Sequence, residues 1–219
     1  MAKRYDRAYF DRWYRDPRHA VILEGVLERR VKLALSAAEY LLERPVRRVL
    51  DVGCGEAPWR RVLRRLRPRL AYTGVDSSEY VVARYGRRRG IRRGTVGELG
   101  RLGLQGPYDL IVCSDVLHYV PTREVRAGLR AIARLLGGLA FLEAFAAGDP
   151  IEGDRRGLQA RSAAHYRRLF REAGLTPVGL HSYVGRRIAG QLVALESPAP
   201  GHRGPARRAS AMAPRGRRL

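Results

Sequence analysis

Two carboxylates and two glycines stand where a strand-to-helix turn could hold a nucleoside. The run Val49-Leu50-Asp51-Val52-Gly53-Cys54-Gly55 closes an apolar stretch with paired glycines. Without Cβ atoms, that backbone can bend sharply and admit a ligand close to the main chain. The end of a parallel strand beside a helix start is where doubly wound folds bind nucleotides. Tight packing alone would account for the glycines about as well. A second apolar stretch then ends in Gly74-Val75-Asp76, which places Asp76 21 positions beyond Gly55 (76 − 55). At that spacing an acid can accept hydrogen bonds from ribose hydroxyls, and the two features together point to a nucleoside. A dinucleotide fingerprint needs a third glycine, and Pro58 stands in its place. Asp51, two positions before the first glycine, suits an ammonium better than a pyrophosphate. The electrostatics favour S-adenosylmethionine over NAD.

A second constellation, Asp115, His118 and Tyr119, follows a later apolar run, at the rim where a methyl group on sulfonium would emerge. His118 could take a proton from an oxygen or nitrogen acceptor, since an unperturbed imidazole titrates at about 6.5; alternatively it forms part of the pocket wall. Asp115 either binds a cationic acceptor or is solvated. His165 is a second rim candidate, with a solvated helix face as the plainer reading. Glu143, inside a strand, could face the acceptor, and His181 takes no role. Cys113 follows Val112 near a buried strand end and reads as core packing, while Cys54 fills the turn as a small residue. Tyr5, Tyr9 and Trp13, with Phe10, recur at helical spacing, so Tyr9 and Trp13 are candidate acceptor contacts. These rings form either a flap over the site or a packing surface against the helix that follows.

The elements that position these residues alternate. Asp16 as N-cap and Pro17 as first helical residue open a long helix to Arg44, with Leu23, Leu27, Val31, Ala34, Ala38 and Leu41 on one face. Strands are expected at Val46–Val52, Leu70–Val75, Ile91–Thr95, Asp109–Ser114 and Gly138–Phe145. Pro58, Ser77 and Pro121-Thr122 start the intervening helices; Gly137-Gly138 ends the last of them. After a polar loop at 146–161, Ser162 caps a helix that Gly174 closes. Two last strands, near Thr176–Val184 and Arg187–Leu195, are too close in sequence for a parallel crossover and must form an antiparallel hairpin. Five βα units and a hairpin make one doubly wound α/β domain.

Composition narrows the class. A chain of 219 residues with 45% apolar content can bury a core without disulfides or metal, and no uncharged stretch approaches a membrane span. The N-terminal residues carry a charge every few positions, unlike a signal peptide, and two cysteines do not build a zinc site or a disulfide framework. A cytoplasmic protein with no bound metal and no membrane partner is expected. The formal net charge is +22, yet only Lys3 and Lys32 among the 43 basic residues are lysines. So lopsided a ratio, with arginines spread along the whole chain, reads as GC-rich codon usage ahead of selection for nucleic acid. Residues from Ser197 on are basic and poor in apolar side chains, the composition of a disordered tail.

From about Val46 to Glu196 the sequence resembles the class I S-adenosylmethionine-dependent methyltransferases. VLDVGCGEA is similar to that family's first motif, YTGVDSS to its second, and YDLIVCSDVLHYV to the segment around its fourth strand. The resemblance implies a seven-stranded, mostly parallel sheet with a C-terminal antiparallel hairpin. It implies a division into residues 1–45, covering the active site, a cofactor-binding core at 46–196, and a tail at 197–219. Asp51, Gly53, Cys54 and Gly55 would hold the methionine end of S-adenosylmethionine. Asp76 would grip the ribose, and Ser77 would lie beside the adenine. The turn Val96-Gly97-Glu98 would close over the adenine edge, and Ser114 would line the pocket. Many relatives carry an acid where this chain has Thr95, and Glu98 is the nearest substitute. Family members that methylate adenine or glutamine amino groups carry an Asn/Asp-Pro-Pro-aromatic motif, and Ser114-Asp115-Val116-Leu117 departs from it. The expected reaction is methyl transfer to an oxygen or nitrogen of a small molecule, with RNA as the less favoured acceptor and cofactor binding without turnover as the remaining alternative. The resemblance also implies that the N-terminal segment lies over the cofactor opening, with Tyr9, Trp13, Asp115, Tyr119 and His165 as acceptor contacts.

Overall fold

A computed structural model describes residues 3–19, 24–151, 153–193 and 195–196. Its five parallel strands are β1 (Arg48–Val52), β2 (Ala71–Asp76), β3 (Ile91–Arg93), β4 (Tyr108–Ser114) and β5 (Leu136–Glu143). A hairpin of β6 (Thr176–Gly179) and β7 (Ser182–Val184) completes one sheet in the order β3-β2-β1-β4-β5-β7-β6, with β7 antiparallel to both neighbours. The helices are α1 (Arg7–Phe10), α2 (Glu24–Leu42), α3 (Pro58–Leu66), α4 (Glu79–Arg89), α5 (Thr122–Leu135), α6 (Ala163–Glu172) and α7 (Arg186–Ala189). The fold is the doubly wound α/β sheet with a terminal hairpin that the sequence pattern implies. No described helix is long and apolar enough to cross a membrane.

Successive strand residues point to opposite faces, so each central strand feeds two cores. Leu50, Val52, Ile111, Cys113, Ala140 and Leu142 pack with Val125, Leu129 and Ile132 of α5 and Leu169 of α6. Val49, Leu110, Val112, Leu139 and Phe141 pack on the other side with Val31, Leu35 and Ala38 of α2 and Trp59 and Val62 of α3. Burial on both faces is why β4 reads as an unbroken apolar run. A third, smaller cluster joins Phe10 of α1 to Val81 and Tyr85 of α4 and to Cys54 and Ala57. It anchors the N-terminal segment across the top of β1 and β2.

Several local expectations give way to tertiary contacts. Asp16 does not open a long helix: its carboxylate accepts the Arg18 N–H at 3.0 Å and lies 2.9 Å from His19 Nδ1, closing a turn over Pro17–His19. The described helix starts at Glu24, and Leu23 falls outside the described residues. Ser78 rather than Ser77 caps α4, its Oγ accepting the Val81 N–H at 3.1 Å, because Asp76 turns the chain by accepting the Ser78 N–H at 2.8 Å. Gly137-Gly138 does not stop a helix before the strand but lies inside β5. A Cβ on Gly138 would stand 2.3 Å from the Asp109 carbonyl oxygen, so the glycine serves strand approach. The hairpin turns at Leu180-His181, inside the first of the two strands expected there, with φ of 47° and 60°. Arg186–Ala189 forms α7, where the last strand is expected to begin at Arg187. The expected tail at 197–219 lies outside the described residues.

Candidate active site

The C-terminal ends of β1, β2 and β4 open onto a cavity of about 310 Å³. It lies at the point where strand order reverses between β1 and β4, the crevice where open α/β sheets bind ligands. The turn after β1 forms its floor. Gly53 and Cys54 both donate to the Val75 carbonyl, at 2.7 and 3.1 Å. Gly53 and Gly55 take φ of +70° and +50°; a Cβ on Gly53 would meet Val116 Cγ2 at 2.4 Å, and one on Gly55 would meet Tyr14 Oη at 2.4 Å. The glycines are therefore required both by backbone conformation and by the closeness of the opposite wall. Cys54 is buried with its Sγ against Gly74, and burial pushes its thiol well above the usual range. It is an inert packing group as well as a lining one.

Asp76 bridges two turns. Its Oδ2 accepts the Gly55 N–H at 2.7 Å and its Oδ1 accepts the Ser78 N–H at 2.8 Å. Burial raises its pKa against the pull of those two N–H groups. Asp51 also faces the cavity, accepts the Tyr72 hydroxyl at 2.7 Å, and is pushed up to about 7 by burial, with the Tyr72 bond opposing and Asp76 adding. Ser77, Thr95 and Val96 line the same end. Gly97 and Glu98 do not. The Glu98 carboxylate accepts the Thr95 N–H at 2.8 Å and caps the short 3₁₀ turn Val96–Arg101, so it is spent on the backbone. The acid at this end is Glu124 of α5, which Gly97 admits: a Cβ there would stand 2.9 Å from Glu124 Cγ.

Ser114, Asp115 and Tyr119 line the far end. Asp115 sits in the left-handed region at φ 62°, a conformation that Asp tolerates better than most residues. His118 is buried outside the lining. Its Nδ1 accepts the Phe145 N–H at 3.4 Å and its Nε2 lies 3.1 Å from Asp115 Oδ1. The histidine thus stands behind Asp115 rather than at the cavity surface. Glu143, also buried, accepts the Ser114 hydroxyl at 2.5 Å and pairs with Arg30 of α2 at 3.1 Å. Arg161 holds the rim from below, donating to the carbonyls of Leu117 at 3.0 Å and Val120 and to Thr122 Oγ1 at 2.9 Å.

Tyr5, Tyr9, Phe10 and Tyr14 form the remaining wall. Trp13 is not part of it. Asp11–Arg15 widens into a π-helical turn, closed by the Asp16 N–H to the Asp11 carbonyl at 3.0 Å. That extra residue per turn brings Tyr14 to the cavity, while Trp13 packs on His19 and under the Arg12 guanidinium. The segment is pinned by Ser78 Oγ donating to the Tyr5 carbonyl at 2.5 Å and by Arg15 pairing with Glu56. His165 lies on α6 beside Arg168 and is also outside the lining. Tyr14, Arg30, Glu124 and Arg161 carried no local motif, and only their long-range contacts reveal them.

Solved structures of similar fold include magnesium protoporphyrin IX methyltransferase from Synechocystis (21% identity, 82% of this chain and 93% of that one, TM-score 0.53). DesVI of Streptomyces venezuelae (16%, 74% and 91%, TM-score 0.56) and an amino pentose methyltransferase from Micromonospora echinaspora (16%, 72% and 89%, TM-score 0.55) are similar as well. Some matches are to longer chains: this one spans 56% of an O-methyltransferase from Brevibacillus brevis, at 20% identity, 69% coverage of this chain and a TM-score of 0.49, and 62% of a protein of echinomycin biosynthesis, at 24% identity, 59% coverage and a TM-score of 0.45. No curated protein sequence matches significantly. The methyltransferase domain family matches residues 23–183, from α2 through β7, and with that match over most of the described fold the chain belongs to this family.

Proposed function

We propose that the protein transfers a methyl group from S-adenosylmethionine to an oxygen or nitrogen of a small molecule. The observation that carries this reading is Asp76, buried at the end of β2 with one oxygen on Gly55 N and the other on Ser78 N. Each oxygen keeps a free lone pair for a ribose hydroxyl. The residues present fit the cofactor: Asp51 offers a carboxylate for an ammonium, and Thr95 and Val96 flank the space left for a base. When bound, S-adenosylmethionine supplies a methyl on a positively charged sulfur that is already a good leaving group. The protein's part is then alignment and exclusion of water, which can contribute about 7–11 kcal/mol at best. Tyr5, Tyr9, Phe10 and Tyr14 exclude water, Asp115 and Ser114 orient the acceptor, and His118 backs Asp115 with its Nε2 3.1 Å from Oδ1. A dedicated base is not required by this chemistry.

The test pairs binding with turnover. Asp76→Ala should weaken S-adenosylhomocysteine binding by about 1.5–3 kcal/mol, the worth of hydrogen bonds to a charged group; unchanged affinity by calorimetry would remove the ribose assignment. Incubation with methyl-labelled cofactor and separate metabolite and RNA fractions should label the metabolites. Label confined to RNA would overturn the choice of acceptor class.

A further inference from the structure

The chain carries 43 basic and 21 acidic residues, yet among the described residues its cavity is lined by four carboxylates, Asp51, Asp76, Asp115 and Glu124, and one cation. That cation, Arg30, is neutralised by Glu143. Asp51 and Asp76 belong to the cofactor end. At the other end three lining tyrosines already surround an ammonium group. Lys3 Nζ stands 3.5 Å from the Tyr119 ring centroid, 5.2 Å from that of Tyr5 and 5.4 Å from that of Tyr9, with Asp154 Oδ2 at 3.1 Å. All three rings lie within the roughly 6 Å over which an aromatic face attracts a cation.

The cage is held by groups other than Lys3. Tyr119 donates its hydroxyl to the Asp154 carbonyl at 2.6 Å, and the Asp154 carboxylate accepts the Arg156 N–H at 2.9 Å. Tyr5 is fixed by Ser78, and its ring meets Tyr9 edge-on at 5.1 Å. Lys3 itself belongs to no helix or strand. Burial pulls its ammonium below the ordinary lysine range, against Asp154 and Asp115, so its charge is held there at a desolvation cost. A ligand whose positive charge is softer or permanent would fill the same space with less penalty.

We infer that Tyr5, Tyr9 and Tyr119, with Asp154, form the acceptor subsite for an ammonium group, and that Lys3 occupies it as an internal plug which the acceptor displaces. This rests on reading the cavity as a methyl-transfer site, and it narrows the acceptor to small molecules that carry an amine or quaternary ammonium. Anions are excluded by Asp115 and Asp154. A neutral acceptor would leave the cage to Lys3.

Only two lysines exist, so amine acylation read by mass spectrometry reports Lys3 against Lys32, which is more than half exposed, as the internal standard. In protein loaded with S-adenosylhomocysteine, tetramethylammonium should raise Lys3 acylation relative to Lys32 about tenfold, and tert-butanol, its neutral analogue in shape, should not. Lys3→Ala should bind tetramethylammonium about tenfold more tightly than the parent chain, and Lys3→Ala/Tyr119→Ala should lose that gain. Unchanged Lys3 labelling overturns the proposal, as does absence of tetramethylammonium binding to folded Lys3→Ala; Lys3 is then a latch of the fold. Should Lys3→Ala fail to fold, labelling of the parent chain decides alone. S-adenosylhomocysteine affinity measured on the same samples reports separately on the methyltransferase reading.

Discussion

Raising the pH from 5.5 to 7.5 should tighten S-adenosylhomocysteine binding about 25-fold if Asp51 holds the ligand's ammonium as proposed, because it must then lose a proton to do so. Burial lifts this carboxyl from 3.8 to about 7, against the Tyr72 hydroxyl and with Asp76 adding to the rise. Below 7 the ammonium finds a neutral acid, so the dissociation constant grows about tenfold per pH unit and binding at pH 6 releases about 0.9 proton. At more alkaline pH the ligand's own α-ammonium, kept protonated longer than a peptide terminus by the carboxylate beside it, deprotonates, and affinity falls again. Asp76 is raised too, by burial, so Asp51→Asn is the discriminating variant: it should bind more weakly at pH 7.5 and lose most of the acid limb. Stability carries the same signature. Since the folded pKa is raised, the carboxyl's contribution is complete below about pH 4 and is lost as pH climbs to 7, a swing of about 4 kcal/mol. Asp51→Asn should therefore raise the melting temperature of the empty protein at pH 8 relative to the parent chain by more than at pH 4. Calorimetry in buffers of different ionisation enthalpy measures both affinity and proton release. Equal affinity at pH 5.5 and 7.5 with no proton release would refute the reasoning, since the carboxyl would then be ionised before the ligand arrives.

Gly53→Ala should destabilise the fold by about 1–2 kcal/mol from its φ of +70° alone, with more from the 2.4 Å approach to Val116; denaturant melts of Gly53→Ala/Val116→Ala should recover the clash but not the backbone strain. Arg161→Met should cost about 1.5–3 kcal/mol in urea unfolding, because it strands the carbonyl of Val120 and leaves that of Leu117 with only the Val120 N–H at 3.3 Å. Arg161→Lys should recover little of that, having one point charge where a fork bonds four partners. Tyr14→Ala should weaken S-adenosylhomocysteine binding severalfold while Trp13→Ala leaves it within about twofold, as only Tyr14 faces the cavity; the reverse order in calorimetry would return Trp13 to the site.

Sequence alone was sufficient wherever the governing interactions are local. Apolar runs at strand length, glycines after β1, an acid at the end of β2 and the helix starts at Pro58 and Ser162 all express backbone preferences that neighbours in sequence decide. Hence the sheet class, the two turns that floor the cavity and the residues Asp51, Gly53, Gly55 and Asp76 were legible before any coordinates, while Ser114 came from the family resemblance. Short strands separated by few residues also dictate a hairpin, although not where it turns. Leu180 and His181 adopt left-handed conformations without glycine, and only pairing of β7 with β5 favours that bend. Gly137-Gly138 carries the composition of a helix stop, but the constraint on Gly138 is the Asp109 carbonyl on the neighbouring strand. Likewise, helical spacing nominated Trp13, and one π-helical turn, held by packing on α4 and Glu56, presented Tyr14 instead. Arg161 reaches Leu117, Glu124 packs on Gly97 and Lys3 meets Tyr119 across stretches of sequence that no window of neighbouring residues records. Local preference wrote the end of the cavity at the turns after β1 and β2; the opposite end is made by loops and an N-terminal segment whose side chains converge only once the sheet has brought them together.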